Sequence, residues 1–194
     1  MELVQPLRTR SQIEGMRAAL SSSPRDLCLF IVGLNSGLRI SDLLRLTIGD
    51  VLEDRTRFQI RRRVAIRERK TGKFRDFPLN NAARSALREY LHGRERERDA
   101  PLFLSRQRGS DGNRKAISRV QAYLVLRAAA RTAGIKDPVG THTLRKTWGY
   151  QLHKNGVDIT RIQKIMNHSS PQTTLSYIGI TRDELDELYR VHNF

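Results

Sequence analysis

The chain has 194 residues, 38% of them apolar, which suits one packed domain with a real core and excludes wholesale disorder. Lysine and arginine total 36 against 20 acids, a formal charge of +16 that points to a polyanionic partner, because neutralising phosphates releases condensed counterions. The longest strongly apolar stretch, Leu27 to Leu34, is too short to span a bilayer, and the one cysteine, Cys28, excludes an internal disulfide framework or a cysteine-based zinc site.

The N-terminus, "MELVQPLRTRSQIEG", lacks the basic start and apolar run of a signal peptide, so a reducing cytoplasm is the expected compartment. "TRSQIEGMRAAL" offers two capping boxes, Thr9 with Gln12 and Ser11 with Glu14, ahead of Ile13, Met16 and Leu20 on one helical face. Ser23 and Pro24 open a second helix and Gly37 closes it, and "ISDLLRL" predicts a short helix directly after.

From Arg57 to Leu79 the pattern turns to strand. "RFQI", "RRRVAIRER" and "FRDFPL" are β-branched or alternating, and Thr71–Gly72 makes a hairpin turn. Helix returns in "NNAARSALREYLH", capped by Asn80 or Asn81 and stopped by Gly93. "GRERERDAP" and "SRQRGSDGNRK" read as polar loops on either side of "LFL". Four helical segments follow: Ser118 to Ala133, Thr141 to Lys154, Asp158 to Met166, and Ser170–Pro171 through Tyr177. A last amphipathic piece starts at the capping box Thr181–Glu184 and carries Leu185, Leu188 and Val191. The class is α+β, mostly helical with a small antiparallel three-stranded sheet.

Certain side chains in this frame suit phosphate chemistry. With Thr141 as N-cap, His142 and Arg145 share the first turn of one helix face, where backbone N–H groups favour an anion. His168 lies at a helix end, and Tyr177, two turns into the next helix, can return toward it. A phenol attacking a phosphodiester needs charge stabilisation on the non-bridging oxygens and a proton donor for the leaving alkoxide. Arg39, just past Gly37, can grip one phosphate together with Arg145, and Lys70 at the hairpin tip can reach a leaving oxygen.

In order and spacing, "GLRISDLLRL", "KTGKFRDFPL" and "HTLRKTWGYQLHKNGVDITRIQKIMNHSSPQTTLSYIGI" resemble the catalytic domain of the tyrosine recombinases, the phage integrase family. The resemblance runs from about residue 9 to about residue 190. It implies that Tyr177 is the nucleophile, forming a 3′-phosphotyrosine bond with DNA and freeing a 5′-hydroxyl. Arg39 and Arg145 would clamp the scissile phosphate, and His142 would be the acid–base partner of the tyrosine. Lys70 would protonate the departing oxygen, His168 would hydrogen-bond a non-bridging oxygen, and Asp42 would brace the site.

The resemblance further implies a site-specific recombinase that needs neither cofactor nor metal, acting on double-stranded DNA. The expected assembly is a tetrameric synapse on DNA built from chains that are monomers when free. A bacterial, archaeal or phage-encoded cytoplasmic protein at the nucleoid is expected. Residues 1–194 would be one catalytic domain, with a tail helix at about 181–194 that packs in cis or in trans, and without the helical core-binding domain most members carry. Two departures stand out: Met166–Asn167–His168 replaces the usual Leu-Gly-His, and Gly179 stands where many members have histidine. A catalytically silent DNA-binding relative and a type IB topoisomerase are the alternatives. No catalytic group is lost, and the H-x-L-R box favours the recombinase, since those topoisomerases usually have lysine in place of its histidine.

Overall fold

The computed structural model describes residues 4–54, 56–94, 97–108, 112, 114–180 and 190. Of the two N-terminal capping boxes, the first forms: Thr9 Oγ1 accepts from the Gln12 N–H at 3.1 Å, and Gln12 Oε1 accepts from the Thr9 N–H at 3.2 Å. Helix α1, Arg10–Leu20, buries Met16 and Leu20 and packs on α6, Arg119–Thr132. The apolar helix α2, Pro24–Ser36, lies against both α5, Asn81–Leu91, and α7, Thr143–Lys154. Its Cys28, Leu29, Phe30 and Val32 are all buried, each of the larger side chains contributing about 1.5–3 kcal/mol by leaving water.

Gly37 ends α2 in the left-handed region at φ 58°, where a β-carbon would stand 2.7 Å from the Trp148 indole. Only glycine suits both demands. That sharp exit makes Arg39 the cap residue of the short helix α3, Ile40–Leu43. A further short helix, α4 at Ile48–Val51, is opened by a Thr47–Asp50 capping box that the sequence reading did not single out.

The strands depart from expectation. Strand β1, Leu52–Asp54, starts ahead of Arg57 and pairs with β2, Gln59–Ile60, while β3, Arg63–Arg67, pairs with β4, Phe74–Pro78. Instead of one three-stranded sheet there are two two-stranded ones. A central strand must use both edges over the same residues. Here the run from residue 59 to 67 uses them in succession: the Arg61 N–H donates to the Val51 carbonyl, then the Arg62 carbonyl accepts from the Leu79 N–H. The segment read as a polar loop holds a third hairpin, β5 at Leu104–Arg108 with β6 at Arg114–Ala116. It lacks the period-two alternation that marks a half-buried strand.

The remaining helices are α8, Ile159–Met166, and α9, Pro171–Ile178, capped by Asp158 and Ser170. Helix α7 begins one residue later than expected. The Gly140 carbonyl accepts from the Thr143 N–H at 3.0 Å, so Thr141 is in a turn and His142, not Thr141, takes the cap position. The predicted tail helix lies outside the described residues. Two apolar clusters result, a large one from α1 through α7 and a smaller one of Tyr150, Ile162, Met166 and Ile178. Helix α7 belongs to both, with Leu144 in the first and Tyr150 in the second. No helix among the described residues is long and apolar enough to cross a membrane.

Candidate active site

Helix α9 turns Tyr177 back toward α7, and the phenol oxygen lies 3.1 Å from His142 Nδ1. The Tyr177 ring stands edge-to-face with His168 at 4.9 Å between centroids. Lys146, one turn beyond His142 and only 5% exposed, places its ammonium 5.5 Å from the centre of the same ring. The nucleophile candidate is thus held between two imidazoles and a buried cation.

Arg145 is 2% exposed. Its Nη1 donates to the Gly37 carbonyl at 2.7 Å and its Nη2 to the Met166 carbonyl at 2.5 Å. Two carbonyls from different elements therefore orient the guanidinium before any ligand arrives. Burial, and then the neighbouring Arg39, pull it down to about 10, still charged at neutral pH. Arg39 approaches from the cap of α3, and its Nη1 donates to Glu68 Oε2 at 2.8 Å. Lys70 sits at the exposed tip of the β3–β4 hairpin, close enough for its charge to act on His168.

His168 Nδ1 lies 3.2 Å from the hydroxyl of the buried Thr174, which fixes one edge of the ring. Burial, followed by Arg145, Arg39 and Lys70, lowers it from 6.5 to about 4, so it is a neutral imidazole at pH 7. His142 is lowered too, first by burial and then by Arg119, Lys146, Arg145 and Arg39. Burial raises the Tyr177 phenol, and Arg145 and Arg39 draw it back down. A neutral histidine beside a protonated phenol is the state from which a proton can be taken.

Asp42, 3% exposed, uses Oδ1 to accept from the Arg69 N–H at 2.9 Å, while Oδ2 has no hydrogen-bond partner among the described residues. It braces the backbone of the hairpin. Asn167 takes the left-handed conformation, φ 55°, that glycine or asparagine fills most readily, and its Oδ1 accepts from Lys73 Nζ at 2.9 Å. The departure at this position therefore costs the His168 loop little. Sequence reasoning missed Glu68, Lys146 and Thr174. Each lies beside a residue it did select, but none carries a spacing signal of its own.

All six expected groups thus have their elements directed to one region, with Lys70 at its open edge. Beside it runs a groove of about 1680 Å³ whose lining includes Val120, Tyr123, Ile135, His142, Lys146 and Tyr177. Among the described residues no three of His, Cys, Asp or Glu are placed to hold a metal ion.

A family model described as the phage integrase family matches residues 8–184. The chain is 39% identical over 192 residues to the probable integrase/recombinase YoeC of Bacillus subtilis, covering 98% of each. It is 32% identical over 170 residues to the tyrosine recombinase XerD of Corynebacterium glutamicum, covering 86% of this chain but 52% of XerD. The crystal structure of XerA recombinase superposes with a TM-score of 0.74 at 25% identity, over 98% of this chain and 65% of that one. The chain therefore spans about the whole of one relative and about half of another.

Proposed function

The chain belongs to the phage integrase family, and on that premise we propose that it is a site-specific recombinase that cuts and rejoins double-stranded DNA through a covalent phosphotyrosine. The observation that carries this reading is the 3.1 Å approach of the Tyr177 hydroxyl to His142 Nδ1, beside an arginine fixed by two backbone carbonyls.

In the proposed reaction the phenol oxygen of Tyr177 attacks the scissile phosphorus as His142 takes its proton. The bond from phosphorus to the 5′ oxygen breaks, and Lys70 gives that oxygen a proton. Arg39, Arg145 and His168 stabilise the charge on the non-bridging oxygens. The phosphotyrosine ester keeps the energy of the bond it replaced, so the free 5′-hydroxyl of a partner strand can reverse the attack with the protons retraced. His142 and Lys70 then exchange acid and base roles.

The active assembly in this reading is a tetramer on two duplexes. A neighbouring copy covers the apolar surface of α6. In support, α6 leaves Val120 67% and Leu124 55% exposed, an apolar surface that invites cover.

The test is covalent capture. Fragmented, nicked DNA from the native host is incubated with the protein, and DNA that survives denaturing extraction on the protein is sequenced to define the site. Tyr177→Phe, which removes only the hydroxyl, is expected to abolish the adduct, at least about 10³-fold. An adduct persisting in that variant would eliminate Tyr177 as the nucleophile. Specific DNA binding with no adduct from the unmodified protein would instead point to the silent relative.

A further inference from the structure

Arg39 is held by a carboxylate from an unexpected place. Asp42, one turn along from Arg39, is turned away to the Arg69 N–H. Glu68, at the base of the β3–β4 turn and 3% exposed, reaches Arg39 instead. Its Oε2 accepts from Arg39 Nη1 and from Thr71 Oγ1, both at 2.8 Å, and its Oε1 faces Arg75 Nη1 at 3.5 Å. The Glu68 carbonyl closes the turn by accepting from the Gly72 N–H at 2.9 Å, which places Lys70 midway round it.

Two cross-links therefore join α3 to the hairpin, in opposite senses. A side chain of α3 holds hairpin backbone, and a side chain of the hairpin holds the arginine that caps α3. Arg39 and Arg75 are like charges, and that of Arg39 works against the charge on Arg75. Glu68 lies between them. Arg75 is tethered from its far side, because its Nη2 donates to the Ser36 carbonyl at 2.7 Å. Without the carboxylate, Arg39, whose side chain is 17% exposed against 11% for Arg75, is the less tethered of the two.

Resting on the recombinase reading, we propose that Glu68 is a positioning residue for the reaction: its carboxylate aims the Arg39 guanidinium at the scissile phosphate and ties that phosphate grip to the turn bearing Lys70. One edge of the guanidinium bonds Glu68, which leaves the other edge to meet a phosphate oxygen. Docking of the hairpin onto α3 and placement of Arg39 are then a single event. Burial works to raise the Glu68 carboxyl, but Thr71 and Arg39 hold it below its ordinary value, so it stays ionised at neutral pH.

The experiment measures single-turnover adduct formation, at saturating protein, on a nicked duplex carrying the captured site. Glu68→Gln keeps the shape and removes the charge. It is expected to slow the adduct about 10-fold or more, with unchanged melting temperature to within a few degrees. A second duplex carries sulfur in place of the 5′ bridging oxygen, a leaving group that needs no proton. The loss should persist there, because Arg39 acts on the non-bridging oxygens. Should Glu68→Gln not fold, Glu68→Asp, which withdraws the charge by one methylene, carries the same comparison.

A parallel reading needs no turnover. The Arg39 Nε–H resonance in the free protein should move toward solvent-exchange behaviour in either variant. Equal rates for variant and wild type, or an unmoved resonance, would overturn the proposal. A loss erased by the sulfur substrate would also overturn it and assign Glu68 to Lys70 alone. No adduct from the wild type, with the resonance shifting as expected, would sink the recombinase reading and leave the Glu68–Arg39 tie standing.

Discussion

Side chain by side chain, the site is poised by burial and by its excess of cations. His168 shows the consequence most clearly. In the unfolded chain it takes up a proton near pH 6.5, but in the folded chain burial and three nearby cations delay this to about 4. Between those values the unfolded state binds more protons, so acidification favours unfolding. The stability at stake is fully present above about 6.5 and is lost as pH falls toward about 4. His168→Gln should flatten part of the dependence of melting temperature on pH across that window. An unchanged slope would mean that His168 is not held neutral by its neighbours. Tyr177, His142, Arg145 and His168 could be picked out from the chain alone because each stands in a short pattern with fixed spacing. Glu68 could not. It sits in "RERK", alternating with surface charges, and meets Arg39 across 29 residues, a contact no local period encodes.

At the scale of elements, the approach of α7 to α9 sets the nucleophile. A β-carbon at Gly149 would stand 2.7 Å from Ile178 Cγ2 and 3.2 Å from Met166 Sδ. Ile178 adjoins Tyr177, and the Met166 carbonyl holds Arg145. Gly149→Ala therefore has to push α9 outward, carrying the phenol with it. Because a misplacement of about 1 Å can cost about 10²-fold in rate, adduct formation should fall at least about 10-fold. DNA affinity, measured by fluorescence anisotropy, should stay within about twofold. Loss of both together would mean that the substitution disrupts the domain rather than the register of α9. The helices were readable from caps and apolar spacing, which act within one turn. The strands were less so. Whether β2 and β3 join one sheet depends on which edge each segment offers to a partner, and no residue in "RFQIRRRVAIRER" records that choice.

For the whole molecule the leading quantity is the charge of +16. If the basic surface follows a duplex backbone, the logarithm of the binding constant should fall linearly with that of salt, by about 0.9 per phosphate neutralised. A titration from low to physiological salt checks this. Six contacts would lower affinity by about 10³-fold or more between roughly 50 and 200 mM. A flat response would remove phosphate neutralisation as the basis of binding.

Sequence by itself determined most of the helices, the charge and the six candidates for reactive groups. These are recorded in local spacing and residue chemistry, and their physics acts over a few residues. Only tertiary structure decided that the small sheets separate and that His142 rather than Thr141 caps α7. It also decided that the carbonyls of Gly37 and Met166 orient Arg145 and that Glu68, not Asp42, holds Arg39. Such pairings form between atoms far apart along the chain, and packing selects them by burying one set of partners while leaving equally charged neighbours in water.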